Sequence, residues 1–295
     1  MEITASLVKE LRDKTGAGMM DCKKALQECE GDVAKATDWL REKGIAKAAK
    51  KSGRIAAEGL TRVLVSGNRA ALVEINSETD FVAKNDAFIR LLDETTRAIL
   101  ENNPTDLAAA EALSLGSETV GETIVNTVAT IGEKITLRRF VVVEKADSDS
   151  FGSYMHMGGK ISAVAVIKNS QDEEVAKDMA MQVASMSPQY ISQAHMEPEF
   201  VEHEKAIQME IIKNDESLTD KPEKVIEGIV KGRVSKSLQD ISLVDQVYFK
   251  DQDKKVSQFL KEHNTEVVTF VRYAVGEGIE KREENFAEEV LKTSF

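Results

Sequence analysis

The chain has 295 residues, 42% of them hydrophobic and 31% charged, with 51 acidic against 39 basic side chains and a net charge of -12. These proportions describe a globular protein of two or three domains with a substantial core and exclude a disordered chain. The acidic balance excludes a general nucleic-acid binder, which needs basic groups to displace phosphate counterions, so a protein partner or basic surface fits and no direct nucleic-acid contact is expected.

The N-terminus lacks a basic-apolar-small leader pattern, and no apolar run approaches ~20 residues, so neither export nor a membrane span is supported and the expected compartment is the cytoplasm. Three short helical patterns open the chain. Thr4 caps a helix burying Leu7, Val8 and Leu11, and Gly16 and Gly18 punctuate. Cys22, Ala25, Leu26 and Cys29 then recur at the spacing of one buried helical face. The two cysteines therefore read as core thiols in preference to a metal site or redox pair. Asp32 caps a third helix carrying Val33, Ala36 and Leu40, which Gly44 ends. The Gly16-Ala17-Gly18-Met19-Met20 loop sets two flexible thioethers at a turn, which suits an adaptable contact surface, although pattern alone favours both filling the small core.

From Lys43 to Arg54 every charged residue is basic: Lys43, Lys47, Lys50, Lys51 and Arg54. Alanines between them permit a helix, but no apolar face is wide enough to anchor it. The stretch reads as a solvated tether, with an arm drawn to an acidic partner surface as the alternative.

The next section reads as α+β. Leu60 to Val65, Ser66-Gly67-Asn68 and Ala71 to Ile75 make a hairpin, and a helix starts near Asp86 with Phe88, Leu91, Leu92 and Ile99 inward. Between them Ser77-Glu78-Thr79-Asp80-Phe81-Val82-Ala83-Lys84-Asn85 puts a large aromatic where the local pattern asks for a polar residue. Phe81 thus reads as an outward-facing anchor for a partner's pocket. The bland alternative is that Thr79 or Asp80 caps the next helix and Phe81 packs beneath it. Pro104 breaks the pattern, Thr119 and Glu122 have capping-box spacing ahead of Ile124, Val128 and Ile131, and Gly132 is a stop.

The second half repeats the scheme with strands at Ile135 to Glu144 and Ile161 to Ile167 around a Met157-Gly158-Gly159-Lys160 turn, then a helix lined by Val175, Met179, Val183 and Met186. A 93-residue offset aligns Asn76-Ser77 with Asn169-Ser170 and Val82-Ala83-Lys84 with Val175-Ala176-Lys177. Glu173 and Glu174 then stand where the first copy has Asp80 and Phe81, so a unit of this kind closes its core without an aromatic there. Pro198 and Pro222 open two polar helical stretches that form a helical hairpin. Glu266 to Val275 returns as a strand, Gly276 and Gly278 turn, and Phe286, Val290 and Leu291 mark a last short helix.

Catalytic constellations are missing. Gly158-Gly159-Lys160 fails as a phosphate loop, because Tyr154 occupies the place of the first glycine and Ile161 that of the magnesium-binding hydroxyl. His156, His195, His203 and His263 lack close-spaced metal-ligand partners, and neither a Gly-x-Ser-x-Gly elbow nor a cysteine nucleophile setting is present. No catalytic residue, metal ligand or cofactor is assigned.

Thr79-Asp80-Phe81-Val82-Ala83, together with Thr15-Gly16-Ala17-Gly18-Met19-Met20-Asp21-Cys22-Lys23-Lys24-Ala25-Leu26, resembles bacterial elongation factor Ts. The likeness extends to Ala46-Lys47-Ala48-Ala49-Lys50-Lys51, Phe151-Gly152-Ser153-Tyr154-Met155-His156 and Val275-Gly276-Glu277-Gly278-Ile279-Glu280-Lys281, and so covers essentially the whole chain in the expected order. The resemblance implies a guanine-nucleotide exchange factor of protein biosynthesis, binding elongation factor Tu in its GDP-bound and nucleotide-free forms. It implies an α+β fold with a three-helix ubiquitin-associated-like module at 1–44 and a basic linker at 45–54. Two related core subdomains follow at 55–134 and 135–275, the second with a helical hairpin insertion at about 188–237, and a C-terminal helical module at 276–295.

The resemblance also implies site roles. Thr79, Asp80, Phe81 and Val82 would dislocate the partner's magnesium, Phe81 as the plug and Asp80 orienting it. Val8, Leu11, Arg12, Gly18, Met19, Met20 and Lys51 would contact the partner, as would Phe286 of the C-terminal helix, and Tyr154 and His156 would meet a remote partner domain. The rival class is a passive scaffold whose helical hairpin self-associates; a small-molecule enzyme finds no supporting residues.

Overall fold

The computed structural model describes residues 3–215, 218 and 222–280. The protein is mixed α+β, and its described residues divide into two compact units: those of 3–143, 157–161 and 273–280 form the first, and those of 144–156 with 162–272 form the second.

In the first unit, α1 (Ala5–Thr15) starts where the Thr4 hydroxyl accepts the Leu7 N–H at 3.3 Å. It ends at Gly16, whose left-handed φ of 66° suits a residue without Cβ. α2 (Met19–Glu28) and α3 (Val33–Lys51) follow, the latter capped by Asp32. Val8, Leu11, Cys22, Ala25, Leu26 and Ala36 make a private core for the three helices. Cys22 is buried there, and desolvation, the largest influence on its thiol, holds the pKa above the usual value.

β1 (Glu58–Ser66) and β2 (Arg69–Ser77) pair antiparallel with Ser66 opposite Arg69, and Gly67 supplies a positive φ of 55° at the tight turn. Then come α4 (Asp80–Ala83), α5 (Asp86–Asn102), α6 (Leu107–Glu111), the short pair β3 (Ser114–Leu115) and β4 (Glu118–Thr119), α7 (Val120–Ile131) and β5 (Ile135–Glu144). Phe88, Leu91, Leu92 and Ile99 of α5 are buried against Val73 and Ile75 of β2 and Val120, Ile124 and Val128 of α7. The capping box of Thr119 and Glu122 forms as its spacing predicts, and Gly132 closes α7 in the left-handed conformation.

Three sequence expectations change here. Gly44 does not stop α3: the helix continues to Lys51 and packs along α7, where a Cβ at position 44 would lie 3.2 Å from the Ala129 methyl. Glycine at this point permits close helix approach. The basic stretch is consequently a docked helix and not a solvated tether, with Ala48 packed on the core of the unit and Arg41 paired with Glu122. Small residues, not a wide apolar stripe, make that contact. Finally, β5 does not pair with the strand at Ile161. It joins β1 and β2 in the order β1-β2-β5, where Arg138 and Arg139 reach a carboxylate on β2.

That carboxylate is Glu74, whose side chain is fully buried. It accepts from Arg138 at 3.0 Å, Arg139 Nε at 2.5 Å, the Asn76 amide at 3.0 Å and the Gly276 N–H at 2.9 Å. Burial pushes its pKa up, but these donors outweigh burial and the pKa lies below the usual 4.5.

In the second unit, β6 (Ser150–His156) and β7 (Ile161–Ile167) form a sheet with β10 (Val267–Ala274) in the order β10-β7-β6. β6 is the strand the sequence hid, because Gly152 interrupts its pattern. A Cβ at 152 would fall 1.7 Å from the Ala176 carbonyl oxygen of α8 (Glu173–Met186), so the glycine lets the helix sit directly on the strand. α9 (Pro198–Lys213) and α10 (Glu223–Ile241) form the expected hairpin, joined by Ile212, Leu218 and Val230, and an Arg233–Asp215 pair at 3.6 Å. The short strands β8 (Val247–Tyr248) and β9 (Asp251–Lys255) and helix α11 (Val256–Glu262) complete the unit.

The helix expected around Phe286, Val290 and Leu291 lies outside the described residues. Among the described residues, no helix is long and apolar enough to cross a membrane.

Candidate functional site

The Phe81 loop grows out of β2, whose residues are buried almost throughout. After Ser77 the chain must leave the sheet and enter α5. It does so through Glu78 and Thr79 and the single turn of α4. Val82 and Ala83 point into the core beside Leu60 and Val73, which leaves their neighbour Phe81 facing solvent with 78% of its surface exposed. Burying the two small residues thus fixes the aromatic on the outside, because adjacent positions on one helical turn face different directions. A new cap then starts α5, the Asn85 side chain accepting the Ala87 N–H at 2.8 Å. The bland alternative, with Phe81 beneath the helix, is overturned.

Asp80 and Lys84 flank the ring. The Lys84 ammonium donates to Asp80 Oδ2 at 2.8 Å and lies 5.9 Å from the Phe81 ring centroid, within cation–π reach. The hydrogen bond from Lys84, helped by its charge and that of Lys160, holds the Asp80 carboxyl below its ordinary pKa. The loop therefore presents an aromatic face beside a carboxylate that stays ionised.

Thr79 occupies the N-cap position of α4, with φ −124° and ψ 159°, yet its side chain makes no capping bond. Its hydroxyl donates to Glu133 Oε1 at 2.8 Å, and its N–H donates to Glu133 Oε2 at 2.9 Å. Ser77 Oγ closes the loop from the other side by donating to the Thr79 carbonyl at 2.9 Å. Glu133 follows Gly132, whose positive φ of 89° turns the chain out of α7. Its neighbour Lys134 donates its backbone N–H to Glu78 at 2.6 Å and its ammonium to the Arg54 carbonyl at 2.8 Å. Arg54 in turn pairs with Glu78 at 3.2 Å, and Lys51 donates to the Gly132 carbonyl. Loop, α7 terminus and the end of the basic helix are one hydrogen-bonded assembly.

The other residues expected at a site separate into two groups. Met19 and Met20 are 53% and 75% exposed, so they do not fill the small core as pattern alone favours. Gly18 caps α2 through backbone geometry only, which leaves the two thioethers on the outer face of the first turn. Arg12 is exposed on α1. Val8 and Leu11, by contrast, are buried in the core of the module. Lys51 is half-buried and bound to Gly132. In the second unit the Tyr154 hydroxyl and His156 Nδ1 lie 3.2 Å apart at the end of β6, next to the exposed Met157. Phe286 lies outside the described residues. Lys160, the lysine of the glycine turn, is committed to Glu58 at 2.8 Å, which suits a hairpin turn and not a phosphate cradle.

Sequence reasoning missed Glu133, Lys134, Glu78 and Arg54 as partners of the loop. The available signal was weak: a Glu-Lys pair after a helix-stop glycine, 54 residues from the threonine it holds. Hydrogen bonds of that span leave no periodicity to read.

Compared with known families, the chain matches the model described as Elongation factor TS over residues 78–277, well over half of its length, beginning at Glu78 and ending at Glu277 beyond β10.

Proposed function

Because the chain belongs to the elongation factor Ts family, whose members promote nucleotide exchange on elongation factor Tu in translation elongation, we propose that it releases GDP from that GTPase by inserting the Phe81 loop. The family works as an exchange factor and not as a catalytic enzyme, and binding alone carries the present reading. The observation that supports it is the exposed Phe81 ring on a turn whose neighbours Val82 and Ala83 are locked in the core.

A GTPase holds GDP through its phosphate loop and a magnesium ion, both of which need undistorted geometry. Phe81, seated in the partner's nucleotide domain with Asp80 orienting it, displaces the helices that carry those groups. Nucleotide affinity falls, and by linkage GDP weakens the binding of this chain by the same factor. Arg12, Met19 and Met20 add contact area on the nucleotide domain, as does the C-terminal segment with Phe286, and the Tyr154–His156 turn engages a remote partner domain. The work takes place in the cytoplasm on both GDP-bound and nucleotide-free partner.

The test is a two-by-two set of release rates for fluorescent GDP bound to purified elongation factor Tu, with and without this chain and with and without a magnesium chelator. Chelation should speed release from the partner alone and shrink the additional acceleration. Equal fold-acceleration in both rows would refute the magnesium part while leaving exchange standing, and no acceleration in either row would leave a passive scaffold.

The scaffold reading rests on one feature, the hairpin of α9 and α10, where Ile207, Ile211 and Val225 are exposed and available for self-association. It accounts for the hairpin but not for the loop.

A further inference from the structure

A solvent-facing aromatic can act as a plug only if its backbone is held still, since ordering it on binding would otherwise cost conformational entropy. The hydrogen bonds around the loop show where that rigidity originates. The Thr79 hydroxyl is normally the group that would cap α4; here it is turned away from the helix and spent on Glu133. The same carboxylate takes the Thr79 N–H, so the residue two before Phe81 is gripped at main chain and side chain together. Both bonds go to the two oxygens of one carboxyl group, and a hydrogen bond to a carboxylate is of the stronger, charge-assisted kind.

We propose that Glu133 is the positioning residue of the exchange loop, clamping Thr79 so that Phe81 is presented in one orientation before the partner arrives. This proposal rests on the plug role given to Phe81 above. Glu133 does not touch the partner's nucleotide site; it acts through Thr79. The remaining bonds place the clamp. Gly132 turns the chain out of α7 just before Glu133, and Lys134 and Arg54 hold Glu78, the residue before Thr79. Lys51 fixes the Gly132 carbonyl, so the docked basic helix contributes to loop geometry as well as to any electrostatic attraction.

The experiment is a double-mutant cycle on the full chain, read as the maximal rate of fluorescent GDP release from elongation factor Tu and the concentration that gives half of it. Glu133→Ala removes both acceptors and should lower the maximal rate roughly tenfold, the loss of about one charge-assisted bond at the transition state. The half-saturating concentration should move much less, because the distant contact surfaces are untouched. In a Phe81→Ala background, Glu133→Ala should cost nothing further, since there is no ring left to position. Thr79→Val, which removes only the hydroxyl donor, should give a smaller loss with the same dependence on Phe81, and it serves if Glu133→Ala melts below the assay temperature.

Three results overturn the proposal. If Phe81→Ala slows release but neither Glu133→Ala nor Thr79→Val does, the clamp is wrong and the plug stands. If the Glu133 and Phe81 losses multiply independently, Glu133 has only a general structural role. If Phe81→Ala itself changes nothing, the plug reading fails and the clamp with it.

Discussion

The two strand-to-helix units of this chain bury the same pair and differ in what stands before it. Val82 and Ala83 after β2, and Val175 and Ala176 after β7, are all buried. In the second unit Asp172 caps α8 by accepting the Glu174 and Val175 N–H groups, and the helix runs without interruption to Met186. In the first, Thr79 stands at the equivalent position but gives its hydroxyl to Glu133. The turn lasts four residues, and a second cap at Asn85 begins the long helix. The shared buried pair belongs to the fold; the changed cap ties a separate short turn to Glu133, and Phe81 stands exposed on that turn. The difference extends into the strands, where buried Glu74 corresponds to buried Ile167 at the same offset.

The largest effect should come from making the strands alike. Glu74→Ile leaves Arg138, Arg139 and the Gly276 N–H without their shared acceptor, and breaking a buried pair by removing one partner costs about 3–5 kcal/mol. Because its folded pKa is depressed, Glu74 contributes stability that is present above its unfolded pKa near 4.5 and lost as pH falls through the folded value. Melting midpoints of wild type and Glu74→Ile should differ most near neutrality and draw closer as pH falls below 4.5. A gap that is constant with pH would mean that lost packing, not lost charge, is what the substitution removes.

Next in size is the loop itself. Phe81→Ala should slow GDP release on the order of thirtyfold, the rate equivalent of about 2 kcal/mol, with an unchanged melting midpoint because an exposed ring leaves no cavity. Wild-type release from a folded Phe81→Ala protein would remove the functional meaning of the contrast between the two units.

Much of this was open to sequence reading, and what was not has a common cause. Periodicity and caps revealed α1, α5 and α7 with their inward residues, the β1–β2 hairpin and the outward Phe81, since each depends on neighbours within a few positions. The hidden features are contacts between distant segments: Glu133 on Thr79, Arg138 and Arg139 on Glu74, and α8 on Gly152. Two glycines misled for that reason. Gly44 reads as a helix stop and the strand around Gly152 goes unread, when both are places where another backbone or a methyl group comes too close for a side chain.

Gly44 supplies the third prediction. Gly44→Leu must push the Ala129 methyl, 3.2 Å from where a Cβ would stand, and should cost about 1–3 kcal/mol as overpacking costs elsewhere. If it also loosens the Lys51–Gly132 contact, release should slow severalfold through the loop, a smaller change than Phe81→Ala. Full exchange activity at a lowered melting midpoint would show that the docking of α3 stabilises the unit but does not reach the loop.

The smallest expected effect is the most direct trial of the comparison. Glu174→Phe places an aromatic at the position of α8 that matches Phe81, next to the buried Val175 and Ala176. An exposed helical position tolerates such a change within about 0.5 kcal/mol, so the protein should fold normally. Release of GDP should stay at the wild-type rate. The new ring would sit on the first turn of a 14-residue helix capped by Asp172, not on an isolated turn gripped by a carboxylate. An acid and a lysine flank it at the matching positions, Glu173 and Lys177, as Asp80 and Lys84 flank Phe81, so the cap is the feature that differs. Restoring exchange in a Phe81→Ala background by adding Glu174→Phe would show that an outward aromatic beside the buried pair is sufficient, and that the changed cap is incidental.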